Sequence, residues 1–167
     1  MDEVISDAIL RFANWYKRDH GIEFTHEQLQ SARFEDLLDP AHRHIVKEYA
    51  HHEDFFKDLD IIPGSQEVVA ELHKKYEIFI TTAAMEFPHS FKHKLNWLNN
   101  HFPYIGWRNI VFCGDKSIIN ADYLIDDNVG HFKRFIGQGV LFTSGHNKNV
   151  EWDVRVNSWD EVAKMFL

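Results

Sequence analysis

Two adjacent acids, Asp126 and Asp127, close the apolar run Tyr123-Leu124-Ile125 and are the side chains of this sequence best placed to do chemistry. Carboxylates so close repel each other unless a cation or a proton lies between them. Magnesium suits such a pair, because it is hard, prefers oxygen donors and keeps several waters while bridging to a phosphate. The sequence does not separate the two acids; Asp127 is favoured as the direct ligand, with Asp126 as its neighbour in support. Read singly, each candidate also has a plainer explanation. The acid pair fits a solvated turn after a strand, Lys116 fits a surface cation, and Asp2 fits a helix cap stabilised by the N-terminal dipole. The chain has 12 histidines, among them His42, His44, His51 and His52. None has a cysteine partner or a zinc-ligand spacing that recurs downstream, so they read as solvated side chains. Cys113 ends an apolar run and reads as a buried small side chain rather than a reactive thiol.

The elements that must position these residues are legible from periodicity. From Glu3 to Lys17 the apolar residues Val4, Ile5, Ala8, Phe12, Trp15 and Tyr16 recur at helical spacing. Thr25-His26-Glu27-Gln28 has the form of a capping box, and Pro40 suits a first helical turn, so residues 12–60 are expected to form a small helical cap. Pro63-Gly64 marks a turn, after which Val68, Val69, Leu72 and Tyr76 predict a helix returning to the core. Beyond it the pattern changes to short β-rich runs at Glu77–Thr82, Ile110–Cys113, Tyr123–Ile125 and Val140–Phe142, separated by helices expected over Ser90–Asn99 and Val129–Ile136. Ser158-Trp159-Asp160-Glu161 caps a last one. Such alternation predicts a parallel sheet covered on both faces, with ligands bound beyond the carboxyl ends of the strands. His146-Asn147-Lys148 reads as a surface loop following a strand.

Composition narrows the partners. With 167 residues and 44% hydrophobic content, the chain can bury one core and a small insertion beside it. A formal charge of −8 argues against a nucleic-acid polymer or an anionic membrane surface, both of which select basic patches. The single cysteine excludes an internal disulfide and suits the cytoplasm, and no apolar run approaches the length that spans a bilayer. The state of association is open, with a homodimer as one option.

Four segments carry a family resemblance: Met1-Asp2-Glu3-Val4-Ile5-Ser6-Asp7; residues 78–88, an apolar strand ending at Thr82; residues 112–117, Phe-Cys-Gly-Asp-Lys-Ser; and residues 122–128, which hold the two acids. In this order and spacing, over almost the whole chain, the sequence resembles the 5′(3′)-deoxyribonucleotidases, a branch of the haloacid dehalogenase (HAD) phosphohydrolases. The resemblance implies an α/β fold with a HAD-like Rossmannoid sheet, a core of residues 1–11 and 61–167, and the cap at 12–60. It implies a magnesium-dependent phosphomonoesterase acting on deoxyribonucleoside monophosphates. Asp2 would be the general acid and base, and its backbone carbonyl would bind the metal with Asp126 and Asp127. Thr82 and Lys116 would hold the phosphate oxygens, with Ala83 beside them and Thr81 as a competing contact. The nucleobase would stack on aromatics, for which Phe12, Trp15, Phe55, Phe56 and Phe87 are candidates. The family's nucleophilic aspartate would fall just upstream of Met1, at the end of an apolar first strand of roughly eight residues. Two rivals share these residues: an inactive relative that binds nucleotide or a protein partner, and an enzyme for another small phosphate ester.

Overall fold

A computed structural model describes residues 1–167, and its chain opens with a tight loop in place of the first turns of helix expected from Glu3. The Met1 carbonyl accepts the amide hydrogens of Val4, Ile5 and Ser6, and Glu3 adopts a left-handed φ of 59°. Strand β1 (Ser6–Asp7) follows, and helix α1 starts only at Ala8, running to His20. Two acids set that start. The Asp7 carboxylate accepts the Leu10 amide at 2.7 Å, and Glu3 Oε1 accepts those of Ala8 and Ile9 at 3.0 Å each, so the first-turn donors are satisfied by side chains.

The segment expected as a cap contains α2 (His26–Leu29), opened by the Thr25 capping box, then α3 (Phe34–Leu37), a 3₁₀ turn at Pro40–His42 and α4 (His44–Ala50). These short helices bury Ala13, Tyr16, Leu29, Phe34, Leu38 and Ile45 in a cluster of their own, which closes onto one face of α1. Strand β2 (Asp60–Ile61) returns antiparallel to β1, and α5 (Ser65–His73) lies against the main core.

The sheet strands are shorter than their apolar runs: β3 (Ile80–Thr82), β4 (Ile110–Phe112), β5 (Tyr123–Asp126), β6 (Gln138–Phe142) and β7 (Arg155–Val156). Helix α6 (Ser90–His101) follows β3, and α7 (Trp159–Phe166) ends the chain from its Ser158 cap. The strands run parallel in two groups, β3–β4 and β5–β6–β7. Alternation sorts their side chains between two layers. Ile125, Val140 and Phe142 face the main core, while Leu124 and Leu141 face a second cluster with Phe132 and Phe135. The helix expected over Val129–Ile136 is only a 3₁₀ turn, Val129–His131, whose start is held by Asn128 accepting the Gly130 amide at 2.8 Å. Phe132 still covers the sheet, because Gly139 leaves room for its ring; a Cβ there would lie 2.5 Å from it.

The two strand groups do not hydrogen-bond to each other, and a cavity of about 300 Å³ lies between β3 and β5, lined mainly by apolar side chains including Val4, Ile5, Ile80 and Ile125. Thr82 turns its carbonyl to Cys113 of the β4 segment, so the period-two rule turns that of Thr81 into the cavity, where the Met1 ammonium donates to it at 3.3 Å. On β5, Asp122 turns its carbonyl to Gln138, which leaves the backbone groups of Tyr123 and Ile125 on the cavity side.

Candidate active site

Parallel pairing places the carboxyl ends of β3 and β4 side by side, and the N-terminal loop links this edge to the end of β5: the Met1 ammonium donates to the Thr81 carbonyl and has Lys116, Asp126 and Asp127 as charged neighbours. Asp2 reaches this edge because Ser6 donates to its Oδ1 at 3.1 Å and Lys94 of α6 grips its other oxygen. Lys94 also donates to Thr82 Oγ1 at 3.1 Å, which leaves the Thr82 hydroxyl hydrogen free to donate outward. Burial alone would raise the Asp2 carboxyl, but the Lys94 and Met1 ammonium groups hold it below the usual carboxylate range.

A second lysine forms a second pair on β5. Lys116, buried in the turn after β4, binds the Asp126 carboxylate, whose other oxygen accepts the Asn128 amide at 2.9 Å. Burial opposes the charge on Asp126, yet Lys116 and the Met1 ammonium keep it low. Asp127 goes the other way. Burial and the neighbouring Asp126 push its carboxyl up to about 6, with no lysine in contact to offset them. Its Oδ2 lies 3.4 Å from His146 Nε2 instead.

Of the residues singled out in the sequence, Asp2, Thr82, Lys116, Asp126 and Asp127 meet at this edge, with half-buried Ala83 directly after β3. Asp2, Asp126 and Asp127 do not form a common ligand cluster: no group of three or more His, Cys, Asp or Glu side chains converges in metal-binding geometry. Two of the three carboxylates are turned to lysines. Thr81 is buried with its carbonyl toward the cavity, whereas the Thr82 hydroxyl belongs to the polar network, which separates the two threonines.

The aromatics divide as well. Phe55 is fully buried among Phe12, Trp15 and Phe56 and has no face to offer a base. Phe12 packs between Phe34 and Phe55, and Trp15 meets the edges of Tyr49 and His52 with the Arg18 guanidinium 4.7 Å from its ring centre. Half-buried Phe87 packs on Phe56, over which Lys94 Nζ sits at 4.6 Å, so an aromatic row leads directly away from the polar network. His44, His51 and His52 are exposed, as expected, but half-buried His42 is bonded to the Tyr16 hydroxyl at 2.6 Å. Cys113 is half-buried and burial raises its thiol.

Two further residues of the site carry little sequence signal. Lys94 shares the inward face of α6 with Ser90, Trp97 and Leu98, and a lysine on a buried helical face was the available clue. Asn147 is only 2% exposed and donates to the Asp127 carbonyl at 2.8 Å, so the expected surface loop 146–148 is in part an interior one.

Buried lysines and acids at the carboxyl ends of parallel strands define a polar edge suited to an anionic ligand. The sequence of the chain matches, over residues 1–167, the family model described as "5′ nucleotidase, deoxy (Pyrimidine), cytosolic type C protein". A Staphylococcus aureus (strain Mu50) protein provisionally named 5′(3′)-deoxyribonucleotidase is 39% identical over 170 residues, covering 100% of this chain and 92% of the relative. A Staphylococcus epidermidis (strain RP62A) protein of the same provisional name is 37% identical over 166 residues, 99% of this chain and 92% of its own. The Bacillus subtilis (strain 168) protein named 5′(3′)-deoxyribonucleotidase is 44% identical over 114 residues, 68% of this chain and 66% of its own. The chain belongs to this 5′-nucleotidase family of hydrolases, and its parallel α/β architecture is consistent with the HAD-like fold. No helix is long and apolar enough to cross a membrane.

Proposed function

We propose that this chain is of the 5′(3′)-deoxyribonucleotidase type, a magnesium-dependent phosphomonoesterase that dephosphorylates deoxyribonucleoside monophosphates. The observation that carries the reading is the meeting of Asp2, Thr82, Lys116 and the Asp126–Asp127 pair at one strand edge, although they are far apart in sequence. Family membership and the name of the Bacillus relative support a nucleotide as the substrate class.

Each side chain has a task that its surroundings support. Thr82 offers a free hydroxyl hydrogen to a phosphate oxygen, and Lys116 and Lys94 provide fixed positive charge nearby. Phe87, packed on Phe56 beside Lys94, offers the apolar face against which a base would rest, with Trp15 and Phe12 further along the aromatic cluster at Phe55. Magnesium fits the donor chemistry, since Asp127 is a carboxylate raised by burial and Asp126, the condition a hard cation relieves. Asp127 is the direct ligand in this reading, and Asp126, held by Lys116, supports it. A magnesium ion held there would supply positive charge against the phosphate. Asp2 protonates the departing nucleoside oxygen and then takes a proton from the attacking water. Its low-lying carboxyl suits the second task as it stands; the first requires release from Lys94.

A phosphoryl acceptor for this scheme would be an aspartate two positions before Asp2, at the end of a strand seated beside β3 and β5. The cavity between β3 and β5 supports that addition, because each flanking strand is paired in parallel on its far side and turns backbone groups toward the cavity. The test is phosphate release from a panel of deoxyribonucleoside monophosphates, with magnesium or EDTA, by this chain and by one extended upstream with an apolar strand ending in Asp. Turnover by the extended protein alone, abolished by EDTA, is expected. A second reading, an inactive relative that binds nucleotide, is favoured by the engagement of both lysines with carboxylates. Nucleotide binding without turnover in either protein would establish it.

A further inference from the structure

We propose that the loop joining β6 to β7 is a bracket that fixes Asp127 for a divalent cation, with His146 and Asn147 as its positioning residues. The proposal rests on the reading of Asp127 as a cation ligand and names what orients that ligand.

Asp127 stands immediately past the end of β5, where no ladder holds it. Its backbone carbonyl is gripped from the next loop: Asn147 Nδ2 donates to it at 2.8 Å, and His146 Nε2 lies at 3.1 Å. The same His146 nitrogen is 3.4 Å from the Asp127 carboxylate. Facing two oxygen acceptors, Nε2 carries a ring hydrogen, and Nδ1 is hydrogen-bonded to the Ser144 hydroxyl at 2.8 Å. This second bond fixes the ring plane. Asn147 is saturated: its amide nitrogen serves Asp127 and the Phe142 carbonyl, while its oxygen accepts the Ser144 amide and Arg155. One buried amide thus ties the ends of β5, β6 and β7 together.

The consequence lies in how the two neighbouring acids are divided. Asp126 is engaged by a buried lysine, Lys116, whereas Asp127 touches no lysine and is oriented by the His146 ring and the Asn147 amide. A carboxylate so held keeps its capacity to bind a hard cation. The bracket also reaches the helical segment: a Cβ at Gly145 would lie 2.3 Å from the Leu29 carbonyl and 2.4 Å from that of Ala32, so the loop is seated directly on the α2–α3 backbone. The seating of those helices and the orientation of Asp127 are therefore mechanically linked.

The test is titration calorimetry with magnesium alone, on this chain and on His146→Ala and His146→Gln, each with its melting temperature. Partners that orient metal ligands are worth about 10–100-fold in affinity, so a loss of that size is expected for His146→Ala. Recovery of a substantial part is expected for His146→Gln, whose amide can donate to the same oxygens, with both variants melting near the parent. Equal magnesium affinity in parent and His146→Ala, both folded, overturns the bracket and leaves the cation reading intact. Failure of the folded parent to bind magnesium overturns the cation reading, and the bracket with it.

Discussion

At the scale of single residues, the two lysine–carboxylate pairs look alike but differ in how deeply they are buried, and that difference sets what each is worth. The Lys116 and Asp126 side chains are 6% and 2% exposed, whereas Lys94 is 3% exposed and its partner Asp2 30%. Removing one member of a buried pair leaves the other uncompensated at a cost of about 3–5 kcal/mol. Lys116→Ala is expected to approach that range in urea unfolding. Lys94→Ala is expected to cost less, ~1–3 kcal/mol, because water can reach the abandoned Asp2. Equal losses would show that exposure at Asp2 does not matter. Asp127 provides a pH test. Its folded-state value of about 6 lies above its ordinary 3.8, so the folded protein holds this proton more tightly than the unfolded chain. Its stabilising contribution is present at low pH and is lost as pH rises between those values. Asp127→Asn should therefore melt close to the parent near pH 4 and several degrees above it at pH 7.5 without magnesium, a comparison that thermal scans read directly.

At the scale of elements, the loops at strand ends do more of the positioning than the strands themselves. The Gly145 contact with Leu29 and Ala32 is backbone on backbone, with no flexible side chain to give way. Gly145→Ala is accordingly expected to cost ~1–3 kcal/mol in denaturant unfolding, as overpacked positions do. It should also weaken magnesium binding, because the loop that moves is the one holding Asp127. Element ends were the least legible part of the sequence. The apolar spacing from Val4 onward is truly helical in type, but Asp7 and Glu3 take the first-turn amides and delay α1 to Ala8. Likewise Val129–Ile136 has the composition of a crossover helix, yet Phe132 and Phe135 find their burial against the sheet from an irregular path. Packing onto the sheet outweighs local propensity there.

At the scale of the whole molecule, the main core joins α1, α5 and α7 with the strands, and the cavity between β3 and β5 interrupts the sheet at its middle. Continuous pairing through that gap would add backbone hydrogen bonds and apolar burial together. An upstream strand that fills it should slow amide exchange at Thr81, Tyr123 and Ile125 and raise the melting temperature, independently of any turnover. Unchanged exchange at these three amides would place the added strand elsewhere. By itself the sequence determined the α/β alternation, the Thr25 capping box, the Ser158 cap, and the landing of Thr82, Lys116 and the Asp126–Asp127 pair at or just beyond strand ends, because those are set by neighbours within a few residues. Only the tertiary structure decided that Lys94, twelve positions after Thr82, would grip Asp2, and that His146 and Asn147 would close on Asp127. A lone lysine on a helix or a histidine in a loop has no local pattern that announces a partner; its role arises when packing brings distant charges and dipoles into a site that water barely reaches.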